Sequence, residues 1–444
     1  MKHISILASI AIATFGFTET KTYTLDEAVK TALTKNNQVL SSIEAVKSAE
    51  GKEGEAFSGY LPKIALVGNY NYMSSVPSMS INIPTGPATS INKTIQTGVN
   101  DNWLFKAQLS QTIFDWGRMF DSHSAALAGK DAVDQEGIAV RNNTIHAVNQ
   151  AFFGLVFAKE ALKVSEESLR VSEEHLKNAE QKYKEGASSS FEVLRSKVQL
   201  SNLKPVVSKA ASNVEMAKYN IKNILGLALS EEIEVDGAFK ERPINELDYD
   251  SVILLCKQFR PELLAIYKKK EVLKKSLNVI SSMDKPVLSG TASYNYQNPY
   301  YTQLSWTESW SAGLNLSIPV FDGNVTGSKV KQAEADLKSL EYSVKTVENG
   351  IELELKQLQL TLRELKGRTQ AQKDAVAQAE EYHKIAQLGF KAGTMTNLEV
   401  MDAELSLLNV KMGFLQALYD REVTESAVVK CIGANSNIKS IIVH

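Results

Sequence analysis

Four stretches of the chain alternate apolar and small polar side chains with a period of two. In the first, Ile64, Leu66, Gly68, Tyr70 and Tyr72 oppose Ala65, Val67, Asn69 and Asn71. The second sets Trp103, Phe105, Ala107 and Leu109 against Leu104, Lys106, Gln108 and Ser110. The third sets Leu288, Gly290, Ala292, Tyr294 and Tyr296 against Ser289, Thr291, Ser293 and Asn295. The fourth sets Trp310, Ala312, Leu314, Leu316 and Ile318 against Ser309, Ser311, Gly313, Asn315 and Ser317. A period of two puts each set on one face of a β-strand. Each stretch runs to about ten residues, the length a tilted membrane strand needs. Tyr and Trp gather toward the hairpin ends, as in an aromatic girdle, and the opposite face of Ser, Thr, Asn and Gln suits a wet lumen. A soluble sandwich would alternate in the same way, so alternation alone does not place the strands in lipid.

Beyond each returning strand the period changes. Leu109–Asp115 continues into Trp116-Gly117-Arg118, and Leu316–Asp322 into Gly323-Asn324. At each Asp-x-Gly or Asp-Gly the alternation stops and a long helical pattern starts. No proline falls between Arg118 and Tyr183, a run worth roughly 100 Å of α-helix. Within it Leu155, Leu162, Leu169, Leu176 and Tyr183 recur every seven residues, with Ala158, Ser165, Ser172 and Ala179 between them at the same period. Large and small residues at the two seam positions predict a coiled coil with close helix approach and supercoiling. The second half repeats this more loosely with Leu362, Val376 and Phe390. Each long helix stops at a glycine, Gly186 or Gly393, fit for a left-handed cap, and Ser190 or Asn397 is placed to cap the returning helix. The second return carries Met401, Leu405, Leu408, Met412, Leu415 and Tyr419, a stripe expected to face its partner. In the first, Pro205 predicts a kink.

The two halves are copies. Leu109 and Leu316, Trp103 and Trp310, Gly186 and Gly393, and Gly226 and Gly433 each stand 207 apart. At the opening helices the offset is 224: Leu25 matches Tyr249, and Asn36-Asn37 matches Arg260-Pro261. The difference of 17 places extra residues in the first hairpin loop, around Pro77, Pro84, Gly86 and Pro87, a stretch polar enough to face the outside. Thr24-Leu25-Asp26-Glu27 is a capping box and opens a helix expected to run to about Glu55. The predicted organisation is a first repeat over 21–230, with a hairpin at 60–117 and long helices over 118–226. A charged, proline-containing connector follows at 231–248. The second repeat covers 249–433, with a hairpin at 286–322 and long helices over 323–432, and 434–444 is a tail. Residues 1–20 read as a signal peptide: Lys2 and His3, then an apolar run from Ile4 to Phe17 too short for a stable anchor. Ala13, Gly16 and Thr20 all offer cleavage sites. No cysteine follows the run, so no lipid anchor is expected.

Composition narrows the reading. Charge is nearly balanced, 49 basic against 51 acidic residues, which argues against nucleic acid as a partner. Cys256 and Cys431 fit no metal or redox spacing; two buried free thiols are expected, and a disulfide between them stays open. Nucleotide-binding, hydrolase and metalloprotease motifs are absent, and His123, His146, His175 and His383 stand singly. Neither an enzyme nor a cofactor or metal site is expected. Four strands cannot close a barrel, and an open sheet edge is forbidden in lipid. If the strands span a membrane, copies must assemble: two would give eight strands, three would give twelve.

Thr24-Leu25-Asp26-Glu27-Ala28, Gly59-Tyr60-Leu61-Pro62, the two strand-to-helix junctions, Tyr183-x-x-Gly186 and Phe390-x-x-Gly393-Thr394 together resemble the TolC-like outer-membrane efflux proteins. The resemblance covers residues from about 24 to 433. It implies an α+β membrane protein: a homotrimer with four β-strands per chain in one twelve-stranded outer-membrane β-barrel, continuous with a long periplasmic α-helical barrel. It implies a passive exit duct, with most of the chain in the periplasm, joined by a periplasmic adaptor to an inner-membrane pump of RND, ABC or MFS type. Tyr183, Gly186, Ser189, Phe390, Gly393 and Thr394 would form the adaptor-docking tip turns, and Asp115, Gly117, Asp322 and Gly323 the strand-to-helix junctions. Glu399 and Asp402 would line the pore constriction; at i and i+3 they share a helix face, and mutual repulsion should raise their pKa values and attract cations. Glu192 and Arg195 hold the matching places in the first repeat, partly neutralising any ring there. Phe390 and Met395 stand where some members carry a Tyr and Arg lock, so closure must rest on packing or other residues. The rival reading is a soluble or peripheral periplasmic coiled-coil scaffold.

Overall fold

The computed structural model describes residues 21–240, 242–244, 247–299 and 305–433; the expected signal peptide and C-terminal tail lie outside the described residues. In chain order the elements are β1 (Lys21–Tyr23), α1 (Leu25–Lys35), α2 (Asn37–Phe57), β2 (Lys63–Tyr72), β3 (Ser78–Gly86), β4 (Thr89–Gln96), β5 (Asp101–Phe114), α3 (Arg118–Lys184), α4 (Ser190–Leu225), β6 (Ile233–Val235), α5 (Tyr249–Phe259), α6 (Pro261–Ser281), β7 (Val287–Asn298), β8 (Thr307–Ser317), α7 (Val325–Ala392) and α8 (Asn397–Cys431). They divide into a sheet unit of residues 45–134 and 265–346, and a helical unit of the described residues in 1–44, 135–264 and 347–444. No described helix is long and apolar enough to cross a membrane.

In the sheet unit, β2, β5, β7 and β8 form one antiparallel sheet in that order. Its register carries the alternation from strand to strand. Leu66 pairs with Ala107, Ala107 with Tyr294 and Tyr294 with Trp310, so the four apolar sets share one face. Val67, Lys106, Asn295 and Ser309 line up on the other in the same way. The apolar face is bare: Leu66 is 83% and Trp310 78% exposed. The extra residues of the first half build a hairpin of their own rather than an open loop, β3 pairing with β4. Short alternation through Met79, Ile81 and Ile83 favours this pairing. Ion pairs from Lys268 to Asp131 (2.9 Å) and Lys275 to Asp121 (3.0 Å) join α6 to α3.

In the helical unit, β1 pairs in parallel with β6, which the connector was not expected to contain. Phe152, Leu155, Ile221, Leu225 and Ile233 form the core beneath them. The opening helix does not run unbroken to Glu55: Asn36 is extended (ψ 127°) and separates α1 from α2. Its side chain explains the break, accepting from Gln38 N at 2.8 Å while its amide donates to the Ile224 carbonyl at 2.8 Å. Arg260, also extended, separates α5 from α6 in the same way, with Pro261 suited to the first helical position. The duplication extends to atomic detail here. Gly226 sits where a Cβ would lie 2.3 Å from the Lys35 carbonyl oxygen, and Gly433 where one would lie 2.3 Å from that of Phe259. Glycine permits both the left-handed turn and the approach.

The small seam residues Ala158, Ser165, Ser172 and Ala179 are all buried, whereas Leu162, Leu169 and Leu176 are half-buried. Close approach of helices, which needs small side chains, therefore sets the intrachain contact. On α8 the buried face is Val400, Ala403, Glu404, Leu408, Ala417, Leu418 and Arg421. Of the expected stripe only Leu408 belongs to it, and Leu405 is exposed. α4 continues through Pro205. Fully buried Arg421 donates to the carbonyls of Lys240 and Arg242 and pairs with Glu422, fixing the connector on α8.

Candidate functional site

The two helix-turn-helix tips have one construction. At the first, Gly186 is left-handed (φ +72°), its N–H donates to Tyr183 O at 3.0 Å, and Ala187 N donates to Lys182 O at 2.8 Å. At the second, Gly393 (φ +76°) donates to Phe390 O at 3.2 Å and Thr394 N to Gly389 O at 2.9 Å. Both are Schellman caps, which is why glycine falls three residues after Tyr183 and after Phe390. The returning helices are capped one residue earlier than expected. Ser189, not Ser190, accepts from Glu192 N, and Thr396, not Asn397, forms a capping box with Glu399.

The tips are brought together. Lys182 Nζ lies 3.9 Å from the centre of the Phe390 ring. Buried Asn397 donates to Ser196 Oγ at 3.0 Å and to Glu192 Oε2 at 3.2 Å. Phe390 and Met395 pack on a small core of Ala386, Val400 and Ala403. Gly389 makes room for this, since a Cβ there would meet Met395 Cγ at 2.8 Å. Tyr183 is half-exposed, and Gly186 and Gly393 stand in open space.

Glu399 and Asp402 are both exposed, one turn apart at the start of α8. The Glu399 carboxylate accepts from Thr396 N at 2.7 Å and Thr396 Oγ1 at 2.9 Å. Within one chain the backbone N–H first, then the hydroxyl, hold it below the usual carboxylate range. Glu192 is drawn to Asn397, and Arg195 lies over the Phe191 ring at 5.4 Å.

One acidic residue escaped the sequence reading. Glu404 is 4% exposed, accepts a hydrogen bond from Ser168 Oγ at 3.1 Å, and is pushed up to about 7 by burial. The signal was a carboxylate at spacing four from Val400 and Leu408 on one helix stripe. His175 is held below the usual range by burial and meets the Phe390 ring edge-on at 6.5 Å, a packing role.

At the junctions, Asp115 Oδ2 accepts from Met119 N at 2.9 Å and Asp322 Oδ2 from Thr326 N at 2.8 Å. Each aspartate thus caps the long helix it precedes. Two successive left-handed residues follow each: Trp116 (φ +59°) and Gly117 (φ +79°), then Gly323 (φ +68°) and Asn324 (φ +63°). One residue of each pair is glycine, but in opposite positions. The hydrogen bonds from Thr326 hold Asp322 below its usual range. Among the described residues, no group of His, Cys, Asp and Glu side chains could hold a metal ion.

The family model for outer membrane efflux proteins matches residues 28–227 and again 253–434. Outer membrane protein TolC of Vibrio cholerae is 21% identical over 401 residues, covering 89% of this chain and 86% of that protein. TolC of Escherichia coli strain K12 is 20% identical over 453 residues, covering 97% and 86%. The structure of the Campylobacter jejuni CmeC outer membrane channel superposes with a TM-score of 0.79 at 20% identity, over 94% of this chain and 88% of that one. The doubled match reproduces the internal duplication, and the chain belongs to the outer membrane efflux protein family.

Proposed function

We propose that the protein is the outer-membrane exit duct of a tripartite efflux or type I secretion system. The observation that carries the reading is the sheet. One face is apolar and bare on all four strands, and β2 and β8 are its edges. In water, such a face would be an aggregation hazard; in lipid it is the required outer surface, and the edges must then be paired. Three copies, β8 of one beside β2 of the next, give twelve strands and no free edge. The face of Asn69, Lys106, Gln108, Ser293, Asn295 and Ser309 then lines a wet lumen.

The chain is read as a passive passage that supplies no energy. An inner-membrane pump of RND, ABC or MFS type supplies the driving force, and a periplasmic adaptor joins it to the tip turns Tyr183–Ser189 and Phe390–Thr394. In a trimer Glu399 and Asp402 make two acidic rings at the start of α8, a cation-attracting constriction. Phe390 and Met395 pack into the tip's own core, so closure there rests on packing or on other residues.

The test is the molar mass of protein extracted in detergent from the outer-membrane fraction, with detergent mass subtracted. Three chains are expected. A monomer that stays in solution without detergent would leave the sheet edges unpaired and overturn the reading in favour of a scaffold.

A further inference from the structure

The second repeat contains the chain's two cysteines, and the fold sets them face to face. Cys256 lies on α5 and Cys431 is the last residue of α8; both are fully buried, with their sulfurs 3.6 Å apart. The backbones are pressed together beside them, Gly433 against the Phe259 carbonyl. Packing does not call for sulfur here. By the two repeat offsets, Cys256 corresponds to Ala32 and Cys431 to Ile224, and that pair fills the matching place in the first repeat's core. The second repeat carries thiols at both places, at one close approach.

We infer that Cys256 and Cys431 are joined by a disulfide bond in the exported protein, closing the second repeat from its first helix to its last. The two sulfurs already face each other in contact, and the periplasm, where the family places most of the chain, favours oxidation. Arg260 Nη1 lies 3.3 Å from Cys431 Sγ. In the docked fold the hydrogen bond from Cys256 first, and the guanidinium after it, hold the Cys431 thiol below its ordinary range; before docking either thiol can start the exchange. When Cys431 starts it, its thiolate attacks one sulfur of an exogenous disulfide donor, giving a mixed disulfide and releasing the donor's other sulfur as thiolate. Cys256, losing its proton, then attacks the Cys431 sulfur and displaces the donor's second thiolate. Two protein thiols lose two protons and two electrons, and the donor disulfide becomes a dithiol. Because both sulfurs are buried in the finished fold, the exchange precedes docking of the end of α8.

The inference rests on export of the chain and not on its partners. The test uses wild-type protein purified from the outer membrane without reductant, quenched in acid, unfolded, and treated with N-ethylmaleimide. Intact mass is expected to show no adduct and a deficit of about 2 Da, the two hydrogens lost in bonding. After reduction, two adducts should appear. A non-reduced digest should contain one peptide pair linking Cys256 to Cys431. The Cys256→Ser variant should show one adduct before reduction. Two adducts on unreduced wild-type protein, or disulfide-linked pairs of chains, would overturn the assignment.

Discussion

Glu399 meets two demands, closing the capping box with Thr396 and, in the proposed trimer, lining the constriction. The two separate chemically. Gln at the third helical position also closes a capping box, so Glu399→Gln with Asp402→Asn removes charge and keeps the cap. The concentration of divalent or trivalent cation that half-blocks the reconstituted channel should rise by about tenfold, equivalent to roughly 1.4 kcal/mol. Unaltered block would remove both residues from the constriction. Glu404 makes a different prediction. In the unfolded chain it titrates near 4.5, in the fold near 7. Between those values the unfolded chain gives up the proton that the fold retains, so stability falls as pH rises across that window, by on the order of 3 kcal/mol. Glu404→Gln keeps an acceptor for Ser168 without the titration. In thermal unfolding the variant should match the parent at pH 4 and melt several degrees higher at pH 8. An equal difference at both pH values would refute titration of the buried carboxylate. Glu404 was legible as a charge on the Val400–Leu408 stripe. It was overlooked because Met401 and Leu405 suggested a neighbouring stripe, and a helix in an assembly has apolar faces for more than one neighbour.

Among the elements, the turns separate glycines that sequence alone makes equivalent. Gly393 and Gly226 share a left-handed φ, yet a Cβ at Gly393 meets nothing within 4 Å, while at Gly226 it strikes the Lys35 carbonyl. Gly393→Val therefore costs only backbone strain, about 1–2 kcal/mol. It should impair pump-dependent resistance while the barrel still inserts. Gly226→Ala cannot be accommodated without moving α1, and should lower the yield of folded, detergent-extractable protein. Full resistance with Gly393→Val would count against the tip assignment, and a normal yield with Gly226→Ala against the packing. The ends of the long helices were legible because a seven-residue pattern stops at Tyr183-x-x-Gly186 and at Phe390-x-x-Gly393. The exact caps were not, because Ser188-Ser189-Ser190 and Thr394-Met395-Thr396 each offer more than one hydroxyl. The break at Asn36 was hidden for another reason: the partner that holds it open is the Ile224 carbonyl, 188 residues away in sequence.

For the whole molecule, the duplication itself says which parts assembly requires. Strands, junctions, long helices, tips and close-packed glycines occur twice and were readable at fixed offsets, since a shared offset tests every motif against its copy. Among the described residues the β3–β4 hairpin occurs once, so no copy was available to reveal its pairing. A part present in one repeat and missing from the other is not needed to build either hairpin of the sheet, and its attachment supports this. Thr97 N donates to Pro77 O at 2.9 Å and Met73 N to Asn100 O at 2.7 Å. The hairpin thus leaves and rejoins the chain at neighbouring points, beyond the last β2–β5 pair at Tyr72 and Asp101. Deleting Ser78–Gln96 and joining Pro77 to Thr97 through two glycines should leave the register intact. If the strands close as twelve, the shortened protein should still reach the outer membrane and extract at three chains per particle. Loss of that mass, with the full-length protein still at three chains, would mean that the hairpin takes part in closing the assembly, and that the second repeat relies on a contact only the first provides.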